Sequence, residues 1–217
     1  MNAADHRAHV AWYFDFISPF AYLQWQAVKT LTQCEVDCRP ILFAGLLKHH
    51  GHKGPAEIPA KRLFTYRHAQ WRANRAGVPL TFPPAHPFNP LPALRLCAAA
   101  GSTAGVIDTI FNHIWRDGAA VDTPDAVAAL AQELGVSDPA AALADPAVKL
   151  QLERNFACAL EDGVFGVPTL VVDGQLFWGE DATEMFVDHL GNRQLFTTPQ
   201  MQRLSGLPIG AARPGIA

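Results

Sequence analysis

The chain begins with a nearly continuous apolar run that is followed by a helix start signal. Residues 10–17 read VAWYFDFI, a pattern typical of a strand buried on both faces of a sheet. Ser18 is a favoured helix N-cap and Pro19 a favoured first helical residue, so a helix should follow. Its predicted inner face consists of Phe20, Leu23, Ala27 and Leu31. A second strand over Glu35 to Phe43 would complete a βαβ unit with parallel strands.

The middle of the chain, from about residue 45 to residue 163, has a helical pattern and no convincing strand. Glycine and proline residues separate the predicted helices of this block, and a proline-rich loop, FPPAHPFNP, follows the first of them. The five predicted helices span residues 58–76, 89–101, 103–117, 123–135 and 145–163.

Strand signals return after residue 163. Residues 169–172 and 175–178 flank Asp173-Gly174, a strong signature of a tight hairpin turn. Asp181 is predicted to cap a last helix, with Glu184 completing a capping box and Gly191 ending the helix.

The order of elements predicts an α/β protein with a thioredoxin fold and an all-helical insertion. We assign the thioredoxin-like domain to residues 8–45 and 164–202, the inserted helical domain to 46–163, and a flexible C-terminal tail to 203–217. Gly166-Val167-Pro168 lies where this fold places a cis-proline, just before an antiparallel strand.

Composition narrows the function classes. The chain has 217 residues, is 49% hydrophobic and has a net charge of −3, which gives no reason to expect nucleic acid or an anionic membrane as partner. No apolar run reaches the length of a bilayer span, and residues 1–9 contain no apolar signal region, so we expect a cytoplasmic protein. The four cysteines, which we expect to be free thiols, are Cys34, Cys38, Cys97 and Cys158.

Ser18 is the first candidate for chemistry. It lies between a central strand and a helix N-terminus, where backbone N–H groups and the helix dipole favour an anion. A hydroxyl there can stabilise a thiolate and lower the pKa of the corresponding thiol, although a purely capping role explains the same residue. The run from Ser18 to Ala21 contains no cysteine, so disulfide exchange at this corner is not expected.

Three segments together resemble one family. FDFISPFAYL, HPFNPLPALRL and GVFGVPTLVVDGQLFWGEDA occur in this order, and the similarity covers roughly residues 10–192. They resemble the 2-hydroxychromene-2-carboxylate isomerases and the related kappa-class glutathione transferases, in the DsbA-like branch of the thioredoxin superfamily. The resemblance implies a glutathione-dependent enzyme and a homodimer.

The resemblance also implies roles for particular residues. Ser18 would contact the glutathione sulfur and be the catalytic residue, and Val167, before Pro168, would bind the tripeptide backbone as an added strand does. Asp181 and the following Ala182 would bind the γ-glutamyl end, and Lys61 would lie near glutathione. Each has a plainer explanation: a structural proline, a helix cap or a solvated surface charge.

Two positions depart from the family pattern. The family usually has Asn where this chain has His52, and commonly has Arg where this chain has Ala182. His52 can still donate a hydrogen bond, with a charge that varies with pH. The cluster His49, His50 and His52 lacks the spacing and the carboxylate of a metal site, so we predict no metal and interpret it as a loop beside the site.

An aromatic substrate pocket is predicted where the insertion meets the sheet. Tyr66, Arg67 and Trp71 on the first inserted helix could line it, although Trp71 is equally suited to the core. Phe20 follows Ser18 closely, and Asn89 lies in a loop that the family places near substrate, although it also suits the start of a helix. We expect His86 in the same loop to be structural.

The predicted function is a glutathione-dependent isomerase that interconverts 2-hydroxychromene-2-carboxylate and trans-o-hydroxybenzylidenepyruvate in naphthalene-type aromatic catabolism. A kappa-like transferase that conjugates electrophiles is the alternative. A third possibility is a DsbA-family protein without redox activity that binds glutathione or a peptide, and a disulfide oxidoreductase is disfavoured because Ser18 replaces the cysteine.

Overall fold

A four-stranded mixed sheet lies at the centre of the computed structural model, which describes residues 7–211. The strand order is β2-β1-β3-β4, with β1 parallel to β2 and antiparallel to β3, and β3 antiparallel to β4. The strands are β1 (Ala8–Phe14), β2 (Cys34–Pro40), β3 (Thr169–Val172) and β4 (Gln175–Trp178). This order confirms the predicted thioredoxin fold and its opening parallel βαβ unit.

The central strand β1 explains the apolar run at the start of the chain. Trp12 and Phe14 pack into the larger core on one face of the sheet, whereas Tyr13 packs into a smaller core on the other. The strand ends at Phe14 rather than at Ile17, because the Asp15 carboxylate accepts a hydrogen bond from Ile17 N and begins a turn.

The second predicted strand also ends early. β2 stops at Pro40, and Phe43 already begins helix α2 (Phe43–His49), so the prediction of a strand up to Phe43 was wrong. The amide of Phe43 donates to the Asp15 carboxylate at 2.8 Å, and at this hydrogen bond the chain leaves the sheet and begins α2.

Helix α1 (Pro19–Val28) starts as predicted, with Ser18 as its N-cap. Its buried surface is wider than the predicted face: Leu23 is buried, but Phe20 and Ala27 are only half-buried, and Leu31 lies beyond the helix. Polar and aromatic residues such as Gln24 and Trp25 are buried instead, because α1 is covered on several sides.

The block between β2 and β3 is helical, as predicted. The third predicted helix is shorter than expected because a π turn follows Phe111, and the fourth is shorter because turns precede Ala128. One short helix, capped by Asp138, was not predicted. The helices are α3 (Pro59–Ala76), α4 (Leu91–Ala99), α5 (Ala104–Phe111), α6 (Ala128–Glu133), α7 (Pro139–Ala144) and α8 (Pro146–Glu161), with a 3₁₀ turn at Pro55–Glu57 and the π turn at Asn112–Arg116.

The C-terminal elements follow a tight hairpin. Asp173 and Gly174 both have positive φ, 52° and 72°, as the predicted two-residue turn requires. Asp181 is not the helix cap that we predicted: it lies in a 3₁₀ turn (Glu180–Ala182), and Ala182 precedes helix α9 (Thr183–Gly191). A last helix, α10 (Pro199–Ser205), enters the predicted tail, whose final residues 212–217 lie outside the described residues.

The insertion shares its core with the sheet. The Phe111 ring of α5 lies 5.7 Å from the Phe14 ring and 4.7 Å from the Phe16 ring, measured between centroids. The end of β1 is therefore packed directly against the inserted helices. The division of the chain at residues 46 and 163 stays a prediction.

Candidate active site at the β1–α1 corner

Ser18 is the N-cap of α1, and its hydroxyl proton is not used in a hydrogen bond within residues 7–211. Its Oγ accepts a bond from Ala21 N at 3.2 Å, as an N-cap does. The hydroxyl also has a proton to donate, and no acceptor within residues 7–211 takes it. A group placed at this corner would thus meet a free O–H and the positive end of the helix.

The backbone leading to Ser18 is held by groups from several parts of the chain. The Trp115 indole N–H donates to Phe16 O at 2.8 Å, and His86 Nε2 lies 2.8 Å from Ile17 O. Asp15 accepts from Ile17 N through its side chain at 3.1 Å. Both Trp115 and His86 belong to the insertion, so inserted residues fix the direction of the corner.

Asp15 is a fully buried carboxyl group just before the corner. Burial raises its pKa to about 7, although hydrogen bonds from the backbone N–H groups of Phe43, Ile17 and Phe16 act in the opposite direction. Loss of hydration is the larger effect, because no described cation compensates the charge. The group therefore changes its charge close to neutral pH.

His86 links the corner to α3. A carbonyl oxygen can only accept, so Nε2 carries the proton that bonds Ile17 O, while Nδ1 lies 2.9 Å from the Tyr66 hydroxyl. Burial lowers the pKa of His86, which favours the neutral ring. The expectation that His86 is structural agrees with this position, and the Tyr66 hydroxyl donates to the backbone oxygen of His86 at 2.5 Å.

Val167 and Pro168 lie at the same edge of the sheet as the corner. The register pairs Tyr13 with Thr169 in antiparallel fashion, so the end of β1 meets the start of β3. The Val167–Pro168 peptide bond is cis, as expected, and Pro168 O accepts from Gly179 N at 2.9 Å. Within the described part of the chain, neither backbone polar group of Val167 has a hydrogen-bond partner, which leaves both free for an extended ligand.

Asp181 extends this surface beyond the hairpin. A Cβ placed on Gly179 would lie 2.5 Å from Asp181 Oδ1, so the carboxylate covers the backbone of Gly179, which has a φ of 94°. Gln24 of α1 donates to Gly179 O at 2.9 Å and ties this turn to the helix that begins at Ser18. Ala182 follows, half-buried and without a polar side chain.

An ion pair fixes α3 against the same turn. Arg72 Nη2 lies 2.6 and 2.7 Å from the two carboxylate oxygens of Glu180. The hydrogen bond to Glu180 is the main reason why the pKa of Arg72 is raised, and the charges of Asp181 and Glu184 act in the same direction. The charge of Asp181 is therefore close enough to Arg72 to raise its pKa.

An exposed aromatic surface of α3 borders the corner. Phe64, His68 and Trp71 follow one another at helical spacing, and the His68 ring lies 5.5 Å from that of Phe20, two residues after Ser18. Phe64 and Trp71 are 67% and 51% exposed, which answers the open question about Trp71: it is not a core residue. This surface is apolar and accessible next to the candidate site.

The remaining predicted residues are more distant or more exposed. Lys61 and Arg67 are exposed on α3, and no partner within the described chain contacts either cation. Asn89 is exposed, and its side chain accepts from Leu91 N at 3.2 Å, which is the helix-start role. His52 is exposed in the loop after α2. Their proximity to a ligand stays a prediction.

The four cysteines are free thiols. Burial raises the pKa of Cys38 and Cys97 to about 12 and also raises that of Cys34. No group of three or more His, Cys, Asp or Glu residues among the described positions is arranged to hold a metal ion. Across residues 7–211, no helix has both the length and the apolar character needed to cross a bilayer.

Reasoning from the sequence missed several contributors to this site: Asp15, Gln24, Arg72, Trp115 and Glu180. Asp15 carried the one visible signal, because a charged residue inside an otherwise apolar strand pattern is unusual. The others act through contacts between segments far apart in the chain, which residue spacing does not reveal.

A sheet of this order, a hairpin entered through a cis-proline and an insertion of helices define the chain as a thioredoxin-fold protein, with serine at the corner. A model of the DSBA-like thioredoxin domain matches residues 9–191. The chain therefore belongs to the DSBA-like thioredoxin domain family.

Two kinds of relative are similar to this chain over most of their length. A 2-hydroxychromene-2-carboxylate isomerase from Sphingobium xenophagum is 28% identical over 190 residues, covering 83% of this chain and 97% of the relative. Human glutathione S-transferase kappa 1 is 25% identical over 209 residues, covering 86% and 92%. A solved structure of a 2-hydroxychromene-2-carboxylate isomerase has a TM-score of 0.74 at 25% identity, covering 92% and 100%. The resemblance expected from the three motifs is confirmed.

Proposed function

We propose that the chain is a glutathione-dependent isomerase acting on 2-hydroxychromene-2-carboxylate and trans-o-hydroxybenzylidenepyruvate. The observation that carries the proposal is the Ser18 hydroxyl, which has an uncommitted proton at a helix mouth without a cysteine. The similarity to the isomerase from Sphingobium xenophagum supports the reaction.

The residues present fit a bound tripeptide. The free N–H and C=O of Val167 suit the cysteinyl backbone of glutathione, and the Asp181 carboxylate suits the ammonium of its γ-glutamyl end. Ser18 Oγ–H would donate to the sulfur at the other end of the same surface. Lys61 and His52 are proposed as further contacts.

Bound glutathione would supply a thiolate that adds to a conjugated double bond, permits rotation about the resulting single bond, and is eliminated again. The role of Ser18 is to stabilise the anionic sulfur through its hydrogen bond and the helix dipole. The run from Ser18 to Ala21 contains no cysteine that could replace the glutathione sulfur, and burial raises the pKa of the Cys38 and Cys97 thiols elsewhere in the chain to about 12.

The second substrate would lie against the exposed aromatic surface of α3. Phe20 and Trp71 offer ring faces for an aromatic molecule, and Arg67 offers an unpaired cation for its carboxylate. Tyr66 supports this surface from behind through His86, and Asn89 is proposed to lie near its edge.

A kappa-like transferase activity is the second candidate, and it rests on the similarity to human glutathione S-transferase kappa 1. The same thiolate would attack an electrophile and remain attached to the product. The open aromatic surface is compatible with electrophiles of varied shape.

We propose a cytoplasmic setting, where thiols stay reduced, and a homodimer.

The test compares Ser18→Ala with Ser18→Thr, which retains a hydroxyl. Thiolate absorbance is titrated against pH with glutathione bound, and isomerisation and conjugation rates are measured with and without glutathione. We expect Ser18→Ala to raise the thiol pKa by about 1 to 2 units, as the loss of one hydrogen bond to a charged group implies, and Ser18→Thr to raise it less. An unchanged thiol pKa in Ser18→Ala contradicts the proposal. Conjugation without isomerisation favours the transferase.

A further inference from the structure

The γ-glutamyl end of glutathione is a zwitterion, with an ammonium and a carboxylate on the same carbon. Asp181 can pair with the ammonium, but its negative charge repels the carboxylate. The next residue, Ala182, has no polar side chain. A cation close to Asp181, from another part of the chain, would offset this repulsion and pair with the carboxylate.

Arg72 of α3 is a cation placed beside Asp181. Its Nη2 is held by Glu180, the residue before Asp181, and the Asp181 charge contributes to raising the pKa of Arg72. Within the described chain, Nε and Nη1 have no acceptor, and the side chain is 33% exposed. The guanidinium is thus fixed in place with unused donors.

The other cations at the start of α3 are too far away. Lys61 and Arg62 lie ten or more residues before Arg72, which is about 15 Å along a helix. Arg72 also has the planar arrangement of donors that suits a carboxylate. It is the α3 cation that pairs with the residue before Asp181.

We propose that Arg72 binds the α-carboxylate of the γ-glutamyl residue while Asp181 binds its ammonium, so that the insertion supplies half of this subsite. The inference rests on the proposed binding of glutathione. It assigns Glu180 the role of a positioning residue, which holds the guanidinium beside Asp181.

The experiment measures dissociation constants by titration calorimetry for glutathione and for its analogue with 4-aminobutyryl in place of γ-glutamyl, which lacks only the α-carboxylate. The variants are Arg72→Met, Arg72→Lys, Glu180→Gln and, as a control that removes the same charge from the same helix, Arg62→Met. Circular dichroism and the melting temperature establish that each variant is folded.

We expect Arg72→Met to weaken glutathione binding about tenfold to a hundredfold, as the loss of a hydrogen bond to a charged group implies, and to leave binding of the analogue nearly unchanged. Arg72→Lys should retain part of the affinity. Glu180→Gln, which removes the charged anchor of the guanidinium, should weaken glutathione binding about threefold to tenfold and spare the analogue, whereas Arg62→Met should change the affinity by only about threefold or less.

The outcomes separate this inference from the proposed function. If the wild-type protein binds neither ligand, the proposed function fails and this inference with it. If the wild-type protein binds glutathione but Arg72→Met weakens both ligands equally, Arg72 only fastens α3 to the turn, and the inference alone is overturned. The same conclusion follows if the wild-type protein binds the analogue as tightly as glutathione.

Discussion

Replacing Asp15 by asparagine removes a buried charge while keeping the size of the side chain. The Asp15 carboxylate accepts from Ile17 N at 3.1 Å and from Phe43 N at 2.8 Å, and it has no compensating cation among the described residues. Asparagine retains one of these acceptors. The variant therefore reports on the energetic cost of ionising Asp15 in the folded protein.

The sign of the pH dependence follows from proton binding. The pKa of Asp15 is raised from its ordinary value of 3.8 to about 7 in the folded chain. Between these values the folded state keeps the proton and the unfolded state loses it, so the free energy of unfolding falls as pH rises. The full effect is about 4 kcal/mol, at about 1.4 kcal/mol for each pH unit. About 3 kcal/mol of it falls between pH 5 and pH 8.

The assay is urea unfolding of wild type and Asp15→Asn at several pH values across this range. We expect the stability of the variant to rise relative to wild type by about 3 kcal/mol from pH 5 to pH 8. Asp125→Asn, at an exposed position, serves as the control and should show no such trend. A constant difference between wild type and Asp15→Asn across the range would refute the reasoning.

Two further substitutions test the packing around the site. Gln24→Leu leaves the buried Trp12 indole N–H without its acceptor, so urea unfolding should show a loss of about 1 to 3 kcal/mol; a loss below about 0.5 kcal/mol contradicts the assigned bond. Gly166→Ala places a Cβ 2.4 Å from Trp178 Nε1 and should lower stability by about 1 to 3 kcal/mol, with partial recovery in Gly166→Ala/Trp178→Ala. Gly105→Ala, which meets no heavy atom within 4 Å, is the control, and equal losses in the two alanine variants would exclude a clash.

Local signals predicted the elements whose boundaries depend on neighbouring residues. Ser18-Pro19 marks the start of α1, Asp145-Pro146 that of α8, and Asp173-Gly174 the hairpin turn, because each of these residues acts on backbone within a few positions of itself. The continuous apolar run identified β1 because both faces of the sheet are covered.

Boundaries set by distant contacts were not predictable in this way. β2 ends at Pro40, a residue that often marks the end of a strand, and the distant Asp15 then accepts a hydrogen bond from the amide of Phe43, a contact that residues 35–43 do not reveal. Asp181 is a residue type that often caps helices. In the structure, the turn after Gly179 instead places its carboxylate over the backbone of Gly179. The conformation that neighbouring residues favour is not adopted where a residue elsewhere in the fold supplies a competing hydrogen bond.

The candidate site shows the same division. Ser18 was proposed from its place between a strand end and a helix start, and Val167-Pro168 was proposed from the predicted fold and the family resemblance. The Arg72–Glu180 pair joins residues 108 positions apart, and Trp115 reaches Phe16 O across 99 positions. A single sequence contains no spacing rule for such pairs.

The two hydrogen bonds from Trp115 and His86 to the carbonyls before Ser18 set a limit on protein engineering. A minimal version in which a short linker replaced the inserted helices would leave the oxygens of Phe16 and Ile17 facing solvent, and the serine would lose its fixed direction. A chimaera that exchanges the insertion to obtain a new specificity must therefore bring its own two donors to these oxygens. The outer surface of α3 makes neither of these two bonds, so its aromatic residues can be exchanged without disturbing the carbonyls before Ser18.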